Sequence, residues 1–214
     1  GIARAMAIDE AQAKLTGLGH TSSDTSSIMN SAIEAVTGTS YALGDAASTA
    51  AALSASGVKS GGQMTDVLKT IADVSYISGK SFQDTGAIFT SVMARGKLQG
   101  DDMLQLTMAG VPVLSLLARQ TGKTSAEVSQ MVSKGQIDFA TFAAAMKLGM
   151  GGAAQASGKT FEGAMKNVKS ALGYLGATAM APFLNGLRQI FVALNPVIKS
   201  ITESVKPLFA SVDQ

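Results

Sequence analysis

Three glycine–lysine–hydroxyl triplets carry the residue types of a phosphate-binding loop: Gly79–Lys80–Ser81, Gly122–Lys123–Thr124 and Gly158–Lys159–Thr160. Such a loop wraps phosphate oxygens in backbone N–H groups. It needs a further glycine five residues before the first, directly after a strand. Those positions hold Val74, Leu117 and Ala153. No strand pattern precedes any of them. Each triplet reads instead as a glycine that closes a helix, with its lysine in solvent.

His20 is the one histidine of the chain. A metal site or a general acid–base pair needs partners of the right type close by. Thr21, Ser22, Ser23 and Asp24 follow it, which reads as a turn and a helix N-cap with His20 exposed in the loop. Asp101–Asp102 is the adjacent acidic pair of the central region. Carboxylates at a helix start are stabilised by the helix dipole, and side chains at i and i+1 diverge, so they do not act as an acid–base couple. The chain has no cysteine, which removes disulfides, thiol nucleophiles and thiolate metal ligands while fitting any redox compartment. No nucleophile elbow and no zinc-protease helix motif is present. The expectation is a chain that is not an enzyme, with no catalytic, metal or cofactor residues and no cofactor.

The elements that would position such groups all read as helical. Apolar residues recur at three and four, and no window alternates with period two for long. Residues 66–78 place Val67, Leu68, Ile71 and Val74 on one face. Phe82, Phe89 and Met93 form a second stripe, and Phe139, Phe142 and Met146 a third. Helices are expected at 8–18, 24–37, 45–56, 98–109, 112–120 and 125–133, with a further one opening at Asp138. Thr124 precedes Glu127 by three residues, the spacing of a capping box. Asp138 is an expected N-cap, and Pro112 an expected first-turn residue. Gly57, Gly79, Gly96, Gly110, Gly122, Gly135 and Gly149 are expected to end helices. Leu104, Leu106, Val113, Leu114, Leu117, Val128, Phe139 and Phe142 are the expected core of the central region. The fold class is therefore all-α, a compact multi-helix domain of about nine to eleven short helices followed by longer amphipathic C-terminal helices. Composition shifts near residues 57–63 and 149–158 divide the chain into an Ala/Ser-rich helical segment at 1–60, a helical core domain at 61–149 and an amphipathic extension at 150–214.

The last third changes character. Phe161, Met165, Val168, Leu172 and Leu175 fall at alternating spacings of 4 and 3, as do Phe183, Leu187, Ile190 and Leu194. Ile198, Ile201, Val205, Leu208 and Val212 continue the pattern, with breaks at Pro182 and Pro196. A period near 3.5 is that of a helix seam covered by another helix. Up to Met146 the chain has 10 basic and 12 acidic residues, and from Lys147 onward 7 basic and 3 acidic. Overall the net charge is +2, too small to argue for specific nucleic-acid binding. A basic, apolar end suits self-association, an acidic partner or a membrane surface. Ala171 to Leu187 is uncharged over 17 residues, near the lower bound of roughly 17–25 for a spanning helix. It also contains Gly173, Gly176, Pro182, Asn185 and Gly186, which favour a covered helix pair. The opening GIARAMAIDE lacks the basic and apolar regions of a signal peptide. Gly1 and the Asp213–Gln214 ending give the expectation of a piece cut from a longer chain.

The order of patterns from Gly96 onward is specific: GKLQGDDMLQL, then GVPVLSLLA, then a capped helix with Glu127, then SKGQIDFATF. With the flanks IDEAQAKLTGLGHTSSDTSSIMNSA and TFEGAMKNVKSALGYLGA, this resembles the tape measure proteins of long-tailed bacteriophages, in the domain toward their N-terminus. The resemblance covers nearly the whole chain. It implies a structural protein of the virion tail, present in the host cytoplasm during assembly and involved in tail assembly and tail length. It implies a tail tube protein, tail assembly chaperones and tail-tip proteins as partners. The alternative is a membrane-active module, in which residues 172–201 help DNA through the host envelope. Whichever holds, Phe161, Met165, Val168, Leu172, Leu175, Phe183, Leu187, Ile190, Ile201, Val205 and Leu208 are the expected contacts with another copy, a partner or a membrane.

Overall fold

The computed structural model describes residues 2–157. Among them are ten helices and no strand. In chain order these are α1 (Ile2–Gly17), α2 (Ser22–Val36), α3 (Leu43–Ala55), α4 (Gly62–Ser78) and α5 (Phe82–Arg95). Then follow α6 (Gly100–Met108), α7 (Val113–Thr121), α8 (Ser125–Ser133), α9 (Phe139–Met150) and α10 (Ala153–Ser157). The all-α expectation holds among the described residues; the longer amphipathic C-terminal helices expected after them lie outside these residues.

Local chemistry sets the boundaries. Thr21, Ser81, Thr124 and Asp138 each cap the helix that follows by accepting a backbone N–H three residues on, which satisfies a donor that the helix leaves open. Thr124 and Glu127 form the expected capping box. At Gly79 and Gly122 the backbone turns left-handed, with φ of 71° and 70°. A Cβ there would strain the turn, so glycine ends α4 and α7. Two of the three glycine–lysine–hydroxyl triplets are thus helix–turn–helix junctions, and the third lies outside the described residues.

Helix α4 is the hub. It packs against α2, α3, α5, α9 and α10, while α1 covers α3 and α7 joins α9 to α8. The interior around α2 and α3 is built of small side chains: Ala32, Ala35, Ala46, Ala47 and Ala50 are buried. Small residues bring helix backbones close. Gly86 of α5 rests on Thr49 of α3, where an added Cβ would meet the threonine methyl at 2.5 Å. Between α5 and α9 the core holds a cluster of aromatic rings. Phe89 packs on Phe142 with ring centroids 4.9 Å apart, and on Phe139 edge-on at 6.3 Å. One contiguous buried cluster runs from Ile8 to Ala154.

Several expectations need correction. Leu104 is 57% exposed, not core. Asp102 and Leu106 define the buried side of the nine-residue α6. Leu104 lies two residues from each, on the opposite side of the helix. Leu114 is only partly buried against the core, whereas Leu106, Val113, Leu117, Val128, Phe139 and Phe142 are buried as expected. Gly149 does not end a helix. It lies inside α9, where an added Cβ would run into the Leu116 side chain. Pro112 is the N-cap of α7, not a first-turn residue. Helices α1 and α4 begin earlier than their apolar stripes, at Ile2 and Gly62.

Candidate functional site

All eleven expected contact residues, from Phe161 to Leu208, lie outside the described residues. Among the described residues, His20 and Asp73 each centre a polar constellation that joins segments distant in sequence.

The first is built on His20. The ring is not an exposed loop group: its side chain is 22% accessible, and both nitrogens are engaged. Nδ1 pairs with Asp24 Oδ2, one helical turn on. Nε2 meets Ser54 Oγ at 2.7 Å. The second oxygen of Asp24 accepts from Ser60 Oγ at 2.6 Å. The Ser60 hydroxyl, followed by the His20 contact, holds the Asp24 carboxyl below the usual carboxylate range. The connectivity Asp24–His20–Ser54 is that of a serine nucleophile with its base and orienting acid. That connectivity alone does not make a hydrolase. Acyl transfer draws its largest help from N–H donors aimed at the developing oxyanion, commonly including the nucleophile's own. Ser54 sits in the last turn of α3, so its N–H belongs to the helix ladder. The cluster acts as a clasp. It ties the α1–α2 turn, α3 and the α3–α4 loop together through four side chains.

The second constellation is built on Asp73. This α4 carboxylate is only 7% exposed. It accepts from the backbone N–H of Gly152 at 3.1 Å and of Ala154 at 2.9 Å. A side chain from α4 thereby caps α10. Burial raises the Asp73 carboxyl above its ordinary value, against the pull of the two N–H donors. Next to it, Tyr41 is pushed up to about 12 by its own burial first, then by Tyr76 and Asp73. Beyond Ala154, Gln155 Nε2 donates to the Thr37 carbonyl at 3.2 Å. Asp73 was visible in the sequence only as a carboxylate inside the apolar run of α4. Nothing in the local pattern marks its partner.

Between α2 and α4 runs an open polar groove of about 720 Å³. Ser31 and Thr65 hydroxyls bridge it at 2.8 Å, and Lys69 pairs with Glu34 at 3.1 Å. Among the described residues no group of three acidic, histidine or cysteine side chains is placed to hold a metal. No helix there is long and apolar enough to cross a membrane. Asp102 serves the start of α6: it accepts from the Gln99 N–H at 3.3 Å, with Arg95 at 3.8 Å. The acidic pair is thus a cap and its neighbour.

The described geometry is that of a scaffold: caps, clasps and close helix contacts. A family model described as tape measure protein matches residues 1–180. The chain belongs to the tape measure protein family. No curated protein and no solved structure matches it. Tape measure proteins are structural components of the phage tail, which makes this chain a tail-associated structural protein.

Proposed function

We propose that this chain is a folded docking and assembly domain of a tape measure protein, and that it takes part in building the tail and setting its length. The observation that carries this reading is the brevity of its helices. The longest among the described residues has 17 residues, about 25 Å at 1.5 Å per residue. A ruler needs one extended element, so residues 2–157 are the head that such an element is attached to. Their work is docking to tail proteins: the tube protein, the assembly chaperones and the tail tip. Residues 198–212, with Ile201, Val205 and Leu208 on one seam, join copies to one another.

The test is sedimentation of the intact chain against a variant with Ile201→Asp and Leu208→Asp, alongside tail assembly in cells carrying the same substitutions. The reading expects an oligomer that the substitutions dissociate, and tails that fail to assemble or vary in length. Identical monomers and normal tails would remove the assembly role. Binding of the intact chain to liposomes, lost on the same substitutions, would point to membrane activity instead.

A further inference from the structure

The seat of α10 on α4 does not end where α10 ends. Asp73 faces α10 and holds its first N–H groups. Tyr76 and Ile77 stand three and four residues later, which places them on the same side of α4 one turn further on. Both are apolar surface left open, 43% and 45% exposed. The chain leaves the described fold at this end of the domain, where Gln155 is tied to the Thr37 carbonyl. Phe161 follows Ser157 by four residues, a reach of at most about 14 Å. Phe161 also opens the apolar seam Phe161, Met165, Val168, Leu172, Leu175. The other exposed large apolar side chains among the described residues are Met6, Leu18, Leu104, Met108 and Leu148; they lie on α1, just after it, on α6 and on α9, and none is on α4.

We propose that the Tyr76–Ile77 face of α4 is the docking site for the chain's own residues 161–175, with Phe161 against Tyr76 and Ile77. The contact extends an interface that already exists, α10 on α4, and it needs no partner to form. An aromatic side chain on Tyr76 gains both buried area and ring packing. The docked segment sets the direction in which the rest of the chain departs from the head. Asp73 fixes the starting point by pinning α10.

The chain has no cysteine, which allows a direct test in the full 214-residue protein. Ile77→Cys combined with Phe161→Cys is oxidised at low protein concentration and resolved without reductant. Tyr76→Cys with Met165→Cys is a second pair, and Met108→Cys with Phe161→Cys is the control. A disulfide needs Cβ atoms about 3.5–4.5 Å apart. The expected result is an intrachain crosslink in the first two pairs, formed at least about tenfold faster than in the control because docking raises the effective concentration. Adding Asp73→Ala should slow it toward the control. Equal rates in all three pairs, or crosslinks mainly between chains, would overturn the proposal; the second outcome would assign the face to another copy.

Discussion

Asp73 and Ala154 are 81 residues apart in sequence and joined by a 2.9 Å hydrogen bond from the Ala154 N–H to the Asp73 carboxylate. With the Gly152 bond beside it, one buried side chain supplies the cap that the short α10 cannot make for itself. A five-residue helix has no standing on its own. Its position depends on this tertiary cap and on burial of Ala154.

Asp73→Ala should therefore release α10 first. Two backbone donors lose their acceptor, at a cost of about 1–3 kcal/mol. Amide exchange at residues 152–156 should quicken more than exchange in α4 or α9. Asp73→Asn keeps one acceptor and should be milder. The pH dependence has a definite sign. Burial raises the folded-state carboxyl above its unfolded value, so the folded state holds this proton more tightly. The contribution of Asp73 is most favourable below the unfolded value and declines as pH rises through the folded one. Chemical denaturation of wild type and Asp73→Asn, followed upward from the ordinary carboxylate range, should show wild type losing ground to the variant and then levelling.

Asp24 titrates with the opposite sign. The Ser60 hydroxyl and then His20 lower its carboxyl. Its contribution is present above the unfolded carboxylate value and lost as pH falls through the lower folded value. Ser60→Ala should move the Asp24 carboxyl back up, read by NMR titration of its side-chain carbon. The same cluster yields a check on activity. With the Ser54 N–H committed to the α3 ladder, activated esters should be turned over no faster by wild type than by Ser54→Ala. Hydrolysis that survives purification and vanishes in Ser54→Ala would mean that the clasp is a catalytic site.

In the central region, exposure separates three leucines that one apolar pattern groups together. Leu117→Ala, fully buried, should cost about 2–5 kcal/mol. Leu114→Ala, half-buried, should cost less. Leu104→Ala, on the outer side of α6, should stay within about 0.5 kcal/mol of wild type. Denaturant midpoints of the three variants, at unchanged slope, rank them.

That ranking also marks how far the sequence could be read. Helix existence, the Thr124–Glu127 box, the Asp138 cap and the glycine turns follow from local rules, because each is decided by neighbours within four residues. Leu104 was misplaced because α6 is too short for its apolar spacing to fix a face; the capping Asp102 fixes it instead. The clasps were hidden for a different reason. His20 meets Ser54 across 34 residues, and Asp73 meets Ala154 across 81. No periodicity links such pairs. Gly149 shows the same limit: as a residue type it signals a helix end, and only the presence of Leu116 beneath it gives it an interior role.

Gly86 offers the sharpest test of close packing, because two effects of known size oppose each other there. Alanine in a helix interior is favoured over glycine by about 1 kcal/mol. A Cβ at position 86 would stand 2.5 Å from Thr49 Cγ2 and 2.9 Å from its Oγ1. Both are branches on a stiff Cβ, and Thr49 is itself 6% exposed, so it has little room to turn aside. Overpacking of this kind costs about 1–3 kcal/mol, which outweighs the propensity gain. Gly86→Ala should therefore destabilise the protein despite improving the helix. Thr49→Ala removes both clashing atoms. The double variant should recover most of the loss, and the two changes should be strongly non-additive, as expected of residues in direct contact. Thermal or denaturant unfolding of the four members of this cycle measures the coupling. Additive effects would mean that α3 and α5 part easily, and that the small residues lining their contact do not set its spacing.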